Sequence, residues 1–336
     1  MGATSHKQWR TATVVSADPV AAHVRRVVLE AEHLETPAPP GSHIDIGVYI
    51  RGRADVRSYS VVGMGDTGCR LVLGVQLAPR SRGGSQFIHS LTPGQQVSIT
   101  QPLQNFPLDY GKPSYVLAAG GIGVTALVGM GTALKAHDAD YRFVYGARSR
   151  EQMAFTDELA AEHGDRLDLR IDDEGGRLDV DELVGGVAPG GELYVCGPTP
   201  MLDALKAAWA RAGRRPSDLR FETFGNSGKF AAEPFTVSIP RLGLETVVPD
   251  DMSMLEALEA CGAEMMYDCR RGECGLCQVK VLGVDGVLDH RDVFLSDRQH
   301  EAGGKMQCCV SRVVSARTGG LPGADGRPAT LTIDVP

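Results

Sequence analysis

The sequence predicts three folded regions: an antiparallel β-barrel or sandwich, a parallel α/β sheet and a small α+β region. Short strands separated by turn residues fill residues 10–106. Strands and helices then alternate over residues 114–224, and further strands follow residue 234. A chain of 336 residues is long enough for two or three domains.

Composition narrows the class of protein. The net charge of -8 argues against a nucleic-acid-binding protein. The chain contains no apolar run long enough to span a membrane, and its first residues lack the apolar core of a signal peptide. We therefore expect a cytoplasmic protein that does not enter a membrane. In that compartment its eight cysteines would be thiols or metal ligands rather than disulfides.

The first region, residues 1–109, contains two segments suited to an anionic ligand. The strand Arg57-Ser58-Tyr59-Ser60 places Arg57 and Tyr59 on one face, and Ser58 and Ser60 on the other. The turn Arg82-Gly83-Gly84-Ser85 has the glycines and the cation that favour phosphate binding. On these residues alone, an exposed strand and an ordinary turn explain the pattern equally well.

The second region, residues 110–225, contains a glycine turn typical of nucleotide-binding sheets. A buried strand ends at Gly120, and Gly121-Ile122-Gly123-Val124-Thr125-Ala126 leads into a helix. A dinucleotide pyrophosphate binds at such a position because helix N–H groups point at it, although a purely structural turn has the same pattern. Arg148 and Arg150 follow the next strand, where an acidic residue would contact the ribose, so these residues leave the choice of NADH or NADPH open.

The segment Cys196-Gly197-Pro198 ends the last strand of this region and opens a helix. Because the carboxyl ends of parallel strands meet at one edge of a sheet, we expect it beside the glycine turn, where open α/β sheets bind ligands.

The third region, residues 235–336, follows a linker at residues 226–234 and contains a cysteine loop. Ser253 and Glu256 form a capping-box pattern at the start of a short helix. The thiols of Cys269, Cys274 and Cys277 then follow in the C-x4-C-x2-C spacing of plant-type [2Fe–2S] proteins. Zinc binding and plain core cysteines are the alternatives. A fourth ligand would come from Cys308 or Cys309.

Glycines and charge add two expectations for the third region. Gly272 and Gly275 allow a positive φ and a close backbone approach around a cluster.

Residues 235–336 contain 10 basic and 15 acidic residues, a net charge of -5, which favours a partner with a basic docking patch.

Taken in order, these motifs resemble the phthalate dioxygenase reductase family over about residues 10–316. The similar segments are Arg57-Ser58-Tyr59-Ser60, Gly83-Gly84-Ser85, Gly120-Gly121-Ile122-Gly123-Val124-Thr125, Cys196-Gly197-Pro198, Phe221-Glu222-Thr223-Phe224-Gly225, Asp289-His290-Arg291-Asp292 and Cys309-Val310-Ser311-Arg312. The insertion at residues 317–327 departs from the family, and we expect a mobile loop there.

The resemblance implies a flavin-binding barrel, an NAD-binding α/β domain and a β-grasp ferredoxin domain. It implies FMN, NADH and a [2Fe–2S] cluster, with Cys309 as the fourth ligand. NADH would bind over the 120–125 turn, Arg148 and residues 196–198, and would give a hydride to the flavin. Ser60, Cys196 and Phe224 would contact the reacting rings, and Arg57 with residues 83–85 would hold the FMN phosphate.

The resemblance also implies a monomer that reduces a terminal oxygenase, most simply one of the Rieske type. A cytochrome P450 is the alternative acceptor. An iron–sulfur sensor is a different class of function, but it would have no need for both a flavin strand and a nucleotide turn.

Overall fold

The computed structural model describes residues 8–34, 37–50, 52–65, 68–78, 83–224, 228, 230–315 and 328–335. It divides into two compact units, Met1–Thr223 and Phe224–Pro336, which we call the N-terminal and C-terminal units. The insertion at 317–327, with the mobile loop expected there, lies outside the described residues, as do Arg82 and part of the expected linker. Among the helices in the described ranges, none is both long and apolar enough to cross a bilayer.

The N-terminal unit begins with a closed antiparallel barrel, which confirms the barrel and excludes the sandwich. Its strands run in the order β4-β5-β2-β1-β6-β3, and β3 also pairs with β4 to close the ring. The elements are β1 (Trp9–Ala21), β2 (Val24–Glu30), β3 (Ser42–Ile50), β4 (Arg53–Met64), β5 (Arg70–Gln76), α1 (Gly84–Ser90), β6 (Gln96–Thr100) and β7 (Leu103–Gln104).

A five-stranded parallel sheet follows, as the alternating pattern predicts. Its order is β10-β9-β8-β11-β12. The elements are β8 (Tyr115–Gly120), α2 (Val124–Ala136), β9 (Tyr141–Ala147), α3 (Thr156–His163), β10 (Leu167–Ile171), α4 (Val180–Gly185), β11 (Glu192–Cys196), α5 (Thr199–Arg211) and β12 (Leu219–Glu222). Strand order reverses between β8 and β11, so the crevice for a ligand lies where these two strands end.

The barrel and the parallel sheet share one apolar core within the N-terminal unit. Their contact is close at Gly74 of β5. A Cβ atom there would lie 2.7 Å from both Thr125 Cγ2 and Phe155 Cε2. The start of α2 is thereby fixed against the barrel.

The C-terminal unit is a mixed β-grasp sheet with the order β14-β13-β19-β15-β17. Strands β13 and β19 are parallel, and the other neighbours are antiparallel. The elements are β13 (Phe235–Ile239), β14 (Leu244–Val248), α6 (Met254–Ala260), β15 (Gln278–Asp285), β16 (Val287–Asp289), α7 (Asp297–Ala302), β17 (Lys305–Gln307), β18 (Arg312–Val314) and β19 (Ala329–Asp334).

Helix α6 begins with the predicted capping box. The Ser253 N–H donates to Glu256 Oε2 at 2.7 Å, and the Glu256 N–H donates to Ser253 Oγ at 3.2 Å. Such a cap contributes about 1 kcal/mol. The Leu255 N–H also donates to the Cys308 carbonyl at 2.9 Å, which ties the helix to the distant cysteine pair.

Candidate functional site

The cysteine loop joins α6 to β15 and directs backbone N–H groups at sulfur. Cys269 Sγ accepts hydrogen bonds from the N–H groups of Arg271, Glu273 and Cys274, each at 3.4 Å. Burial raises the pKa of the free Cys269 thiol, and these three donors oppose that rise. Donors aimed at one sulfur favour its thiolate form, which is the form that binds a metal.

Two glycines make the loop possible, as predicted. Gly272 has φ +76° and Gly275 has φ +78°, a region that disfavours residues with a Cβ atom. Space is also lacking. A Cβ at Gly272 would lie 2.6 Å from Val310 Cγ2, and one at Gly275 would overlap the Phe294 ring.

The two candidates for the fourth ligand differ in their contacts with the cysteine loop. The Cys277 thiol accepts hydrogen bonds from Cys308 and Cys309, which hold its pKa below the usual range. Both Cys308 and Cys309 are buried and belong to the same apolar core. Cys309 also lies near Cys269 and accepts a hydrogen bond from the Gly272 N–H. Cys309 therefore contacts more of the loop than Cys308 does, and its role as the fourth ligand stays a prediction.

The four thiols fit a [2Fe–2S] cluster. The Cys269 and Cys274 thiols contact each other, and so do those of Cys277 and Cys309. The proximity of Cys269 to Cys309 brings the two pairs together. Two thiolates for each of two irons is the ligand set that such a cluster needs.

The flavin strand predicted from Arg57 lies beside the predicted phosphate turn. Arg57 Nη1 donates to Asp55 Oδ2 at 2.6 Å and to the Val56 carbonyl at 2.9 Å. A Cβ at Gly84 would lie 2.7 Å from Arg57 Cγ, so glycine lets the turn approach the guanidinium side chain closely. A phosphate at this turn would meet both N–H groups and a cation.

The other residues of that strand differ in their surroundings. Ser58 Oγ donates to Asp45 Oδ1, and Ser60 is buried opposite His43 of β3. Burial raises the pKa of Tyr59 well above its usual value despite nearby Arg57. Its phenol is therefore neutral at physiological pH.

The phosphate turn is shaped by Gly83 and Ser85. Gly83 has φ +102°, and a Cβ there would lie 2.5 Å from Ile50 Cγ2. Ser85 Oγ accepts a hydrogen bond from the Ala78 N–H at 3.1 Å, which fixes the end of β5 to the start of α1.

The predicted nucleotide residues meet where β8 and β11 end. A Cβ at Gly120 would lie 2.8 Å from Pro198 Cδ, and one at Gly123 would overlap the Cys196 carbonyl. Gly197 also lies close, because its Cβ position is 3.1 Å from the Gly120 Cα. The close approach of these two segments brings both motifs to one crevice.

One glycine in this crevice faces open space. Gly121 has φ +55°, and nothing lies within 4 Å of its Cβ position. The Ile122 carbonyl accepts a hydrogen bond from Thr125 Oγ1 at 2.9 Å, which secures the turn against α2. The free space at Gly121 lies at the start of α2, where backbone N–H groups can bind a pyrophosphate.

Comparison with known proteins identifies the chain. Residues 238–314 match the 2Fe-2S iron-sulfur cluster binding domain. The chain is 38% identical over 278 residues, 82% of its length and 85% of the relative's, to "Phenoxybenzoate dioxygenase subunit beta" of Ectopseudomonas oleovorans. It also matches the solved structure of phthalate dioxygenase reductase with TM-score 0.73 and 27% identity, covering 97% of this chain and 98% of that one.

The chain belongs to the phthalate dioxygenase reductase family. It is therefore an oxidoreductase that uses a reduced pyridine nucleotide, a flavin and a [2Fe–2S] cluster. A second solved structure is "an intact type IV self-sufficient cytochrome P450 monooxygenase", with TM-score 0.64 and 32% identity. It covers 97% of this chain and 41% of that longer one.

Several residues of this family member were not found from sequence. Asp55 lies two residues before Arg57, so strand alternation could have indicated its pairing. Asp45 on β3 and Met201 on α5 gave no local signal, because only the sheet register brings Asp45 to Ser58 and only packing brings Met201 to Gly120.

The roles of all the predicted site residues stay predictions, and two of these residues are exposed. Arg148 is exposed after β9, and Phe224, the first residue of the C-terminal unit, is 42% exposed.

Proposed function

We propose that this reductase takes electrons from NADH in the cytoplasm and delivers them to a Rieske-type terminal oxygenase. A P450 acceptor is the second candidate, favoured by the likeness to the self-sufficient P450 chain. The observation that supports a protein acceptor most strongly is a set of exposed apolar side chains at the cluster loop.

The roles of the site residues are part of this proposal. Arg57 and residues Gly83–Ser85 hold the phosphate of FMN, a flavin without the adenylate that would extend FAD beyond this turn. The 120–125 turn, Arg148 and Cys196–Pro198 hold NADH. Ser60, Cys196 and Phe224 contact the reacting rings. The flavin supplies the conversion of a two-electron hydride into single electrons for the cluster.

Charges near the end of β9 favour NADH over NADPH. Arg150 donates to Glu174 through Nε at 3.0 Å and Nη2 at 2.8 Å, so its charge is offset within the chain. Asp172 and Asp173 precede Glu174 at the end of β10, which pairs with β9. Because Glu174 is already paired with Arg150, the carboxylates of Asp172 and Asp173 are the charges that would repel a 2′-phosphate near the ribose position. A kcat/KM for NADPH equal to that for NADH would contradict this part of the proposal.

Four exposed apolar side chains lie in the cluster loop, just before it or against it, and we call them the apolar rim. Leu276, 46% exposed, lies between two cluster ligands, and the ring of Phe294, 49% exposed, lies against Gly275. Met266 and Tyr267, 63% and 40% exposed, directly precede the loop. Exposed apolar side chains gathered at one place mark a protein-binding surface, and here a bound protein would lie close to the cluster.

A charge reversal at the rim tests the proposal. Leu276→Glu should raise the KM for the oxygenase about tenfold, because a central apolar contact contributes more than about 1 kcal/mol. Reduction of ferricyanide by NADH should be unchanged. Leu282→Glu is the matched control, since Leu282 is 53% exposed on β15 outside the rim. Equal effects of the two variants would argue against docking at the rim.

The acceptor class is tested directly with purified partners. NADH-dependent reduction of a Rieske cluster is followed by electron paramagnetic resonance, and reduction of a P450 haem by its carbon monoxide difference spectrum. Faster reduction of the P450 would replace the first candidate by the second. Acid release and chromatography of the flavin separate FMN from FAD.

A further inference from the structure

A histidine–aspartate–histidine cluster lies in the C-terminal unit, apart from the four cysteines. His290 and Asp292 follow β16, and His300 lies on α7. His300 Nε2 is 3.2 Å from Asp292 Oδ2, and His290 Nδ1 is 3.8 Å from Asp292 Oδ1. One nitrogen of each ring and one carboxylate oxygen all lie within 4.8 Å of one another.

The carboxylate of this cluster is buried and held in place. The Asp292 side chain is 0% exposed and accepts hydrogen bonds from the Leu295 N–H at 2.9 Å and Ser311 Oγ at 3.2 Å. Burial alone would raise the pKa of Asp292, but the two imidazoles and the Leu295 N–H lower it below its usual range. The group is therefore an anion with a fixed orientation.

His290 lacks a hydrogen-bond partner in the described structure. Its side chain is 9% exposed, and both ring nitrogens are buried without a partner. Its ring stacks on that of His300 with centroids 4.4 Å apart. A buried nitrogen without a partner costs about 1–3 kcal/mol, and an ion or water is the usual explanation.

We propose that His290, Asp292 and His300 form a second metal site, selective for a divalent transition ion such as Zn²⁺. Two imidazoles and one carboxylate are a recognised zinc donor set, with a fourth position open to water. Tetrahedral zinc needs donor atoms about 3.3 Å apart, and the three donor atoms here lie within 4.8 Å of one another, so a bound ion would draw them closer together. Leu295 and Ser311 orient the carboxylate.

The site is coupled to the cysteine loop through Asp292. The Asp292 Cα lies 2.9 Å from the position that a Cβ would take at Gly272, and the Val293 N–H donates to the Gly272 carbonyl at 3.1 Å. A cation held by Asp292 adds positive charge beside the cluster loop. Since reduction makes a cluster more negative, zinc should raise its reduction potential.

The test is zinc titration of the full chain with its flavin and a complete cluster, by calorimetry. The wild-type protein should bind one zinc ion at these residues. His300→Ala should weaken zinc binding at least about tenfold, because replacing even a residue that only orients a metal ligand lowers metal affinity by that factor. His290→Gln should act likewise. His137→Ala is the control, because it removes an exposed imidazole at the end of α2.

Three results would overturn the site. They are no zinc binding, equal zinc binding by His300→Ala and the wild type, and an amount of bound zinc that rises with the fraction of protein lacking iron whether or not the histidines are present. The cluster potential is a separate readout and rests on the proposed electron transfer. Zinc should raise it in the wild type and leave it unchanged in His300→Ala. Calorimetry needs no electron transfer, so failure of the proposed function and failure of this site are distinguishable.

Discussion

The cysteine loop and the nucleotide turn are both rich in glycine, but they use it for different reasons. In the cysteine loop, Gly272 and Gly275 have positive φ. At the nucleotide turn, Gly120 and Gly123 have the ordinary values -119° and -57°, and glycine is needed because neighbouring atoms fill the Cβ position. The cysteine loop therefore needs Gly272 and Gly275 for their left-handed φ as well as for their crowded Cβ positions, whereas Gly120 and Gly123 are needed only because neighbouring atoms fill the Cβ position.

The largest effect should come from the cluster ligands themselves. Cys309→Ser should lower bound iron at least about tenfold, because loss of a ligand costs more than loss of a residue that orients one. Cys308→Ala should keep its cluster and lose about 1 kcal/mol of stability from the core. Iron content and visible absorbance measure both. Loss of the cluster in Cys308→Ala, with retention in Cys309→Ser, would reverse the assignment.

A large effect is also expected at the nucleotide turn. In Gly123→Ala the new methyl group would overlap the backbone carbonyl of Cys196, which no rotamer change relieves. Relieving this overlap requires a backbone shift that costs about 1–3 kcal/mol of stability. We expect the shifted turn to lose a similar free energy of NADH binding, which lowers kcat/KM for NADH by about 5- to 150-fold.

Gly121→Ala provides the matched control at the same turn. It has open space and only the strain of φ +55°, about 1–2 kcal/mol, so its kcat/KM should fall less. Thermal unfolding of both variants separates misfolding from weak binding. Equal losses would show that close approach is not the reason for glycine at 123.

The smallest effect is expected at Gly275, where the obstacle is a side chain. Gly275→Ala combines about 1–2 kcal/mol of left-handed strain with overlap on Phe294, whose ring can rotate away. Adding Phe294→Ala removes the ring that overlaps the new methyl group. The double variant should therefore regain the stability lost to overlap, but not the stability lost to the left-handed φ at position 275. The urea concentration at which the cluster absorbance is lost measures the stability of the wild type, the single variant and the double variant. Full recovery in the double variant would mean that φ is unimportant there, contrary to the comparison.

The sequence was sufficient where the chemistry lies within one segment. The C-x4-C-x2-C spacing, the capping box at Ser253 and the glycine turn after β8 each depend on residues close in the chain. The sequence was insufficient where strand pairing or the position of a helix determines which side chains meet. Neighbouring Cys308 and Cys309 became distinct only through their contacts with the loop, and Asp292 meets His300 only because α7 folds back.

The central claim is that NADH reduces the cluster through the flavin, and an anaerobic NADH titration tests it most directly. Visible absorbance follows the flavin, and electron paramagnetic resonance follows the cluster. We expect the flavin to bleach, a rhombic reduced [2Fe–2S] signal to appear, and full reduction to require more electrons than one hydride supplies. A colourless zinc protein, or a cluster that NADH leaves oxidised when FMN is supplied, would contradict the account.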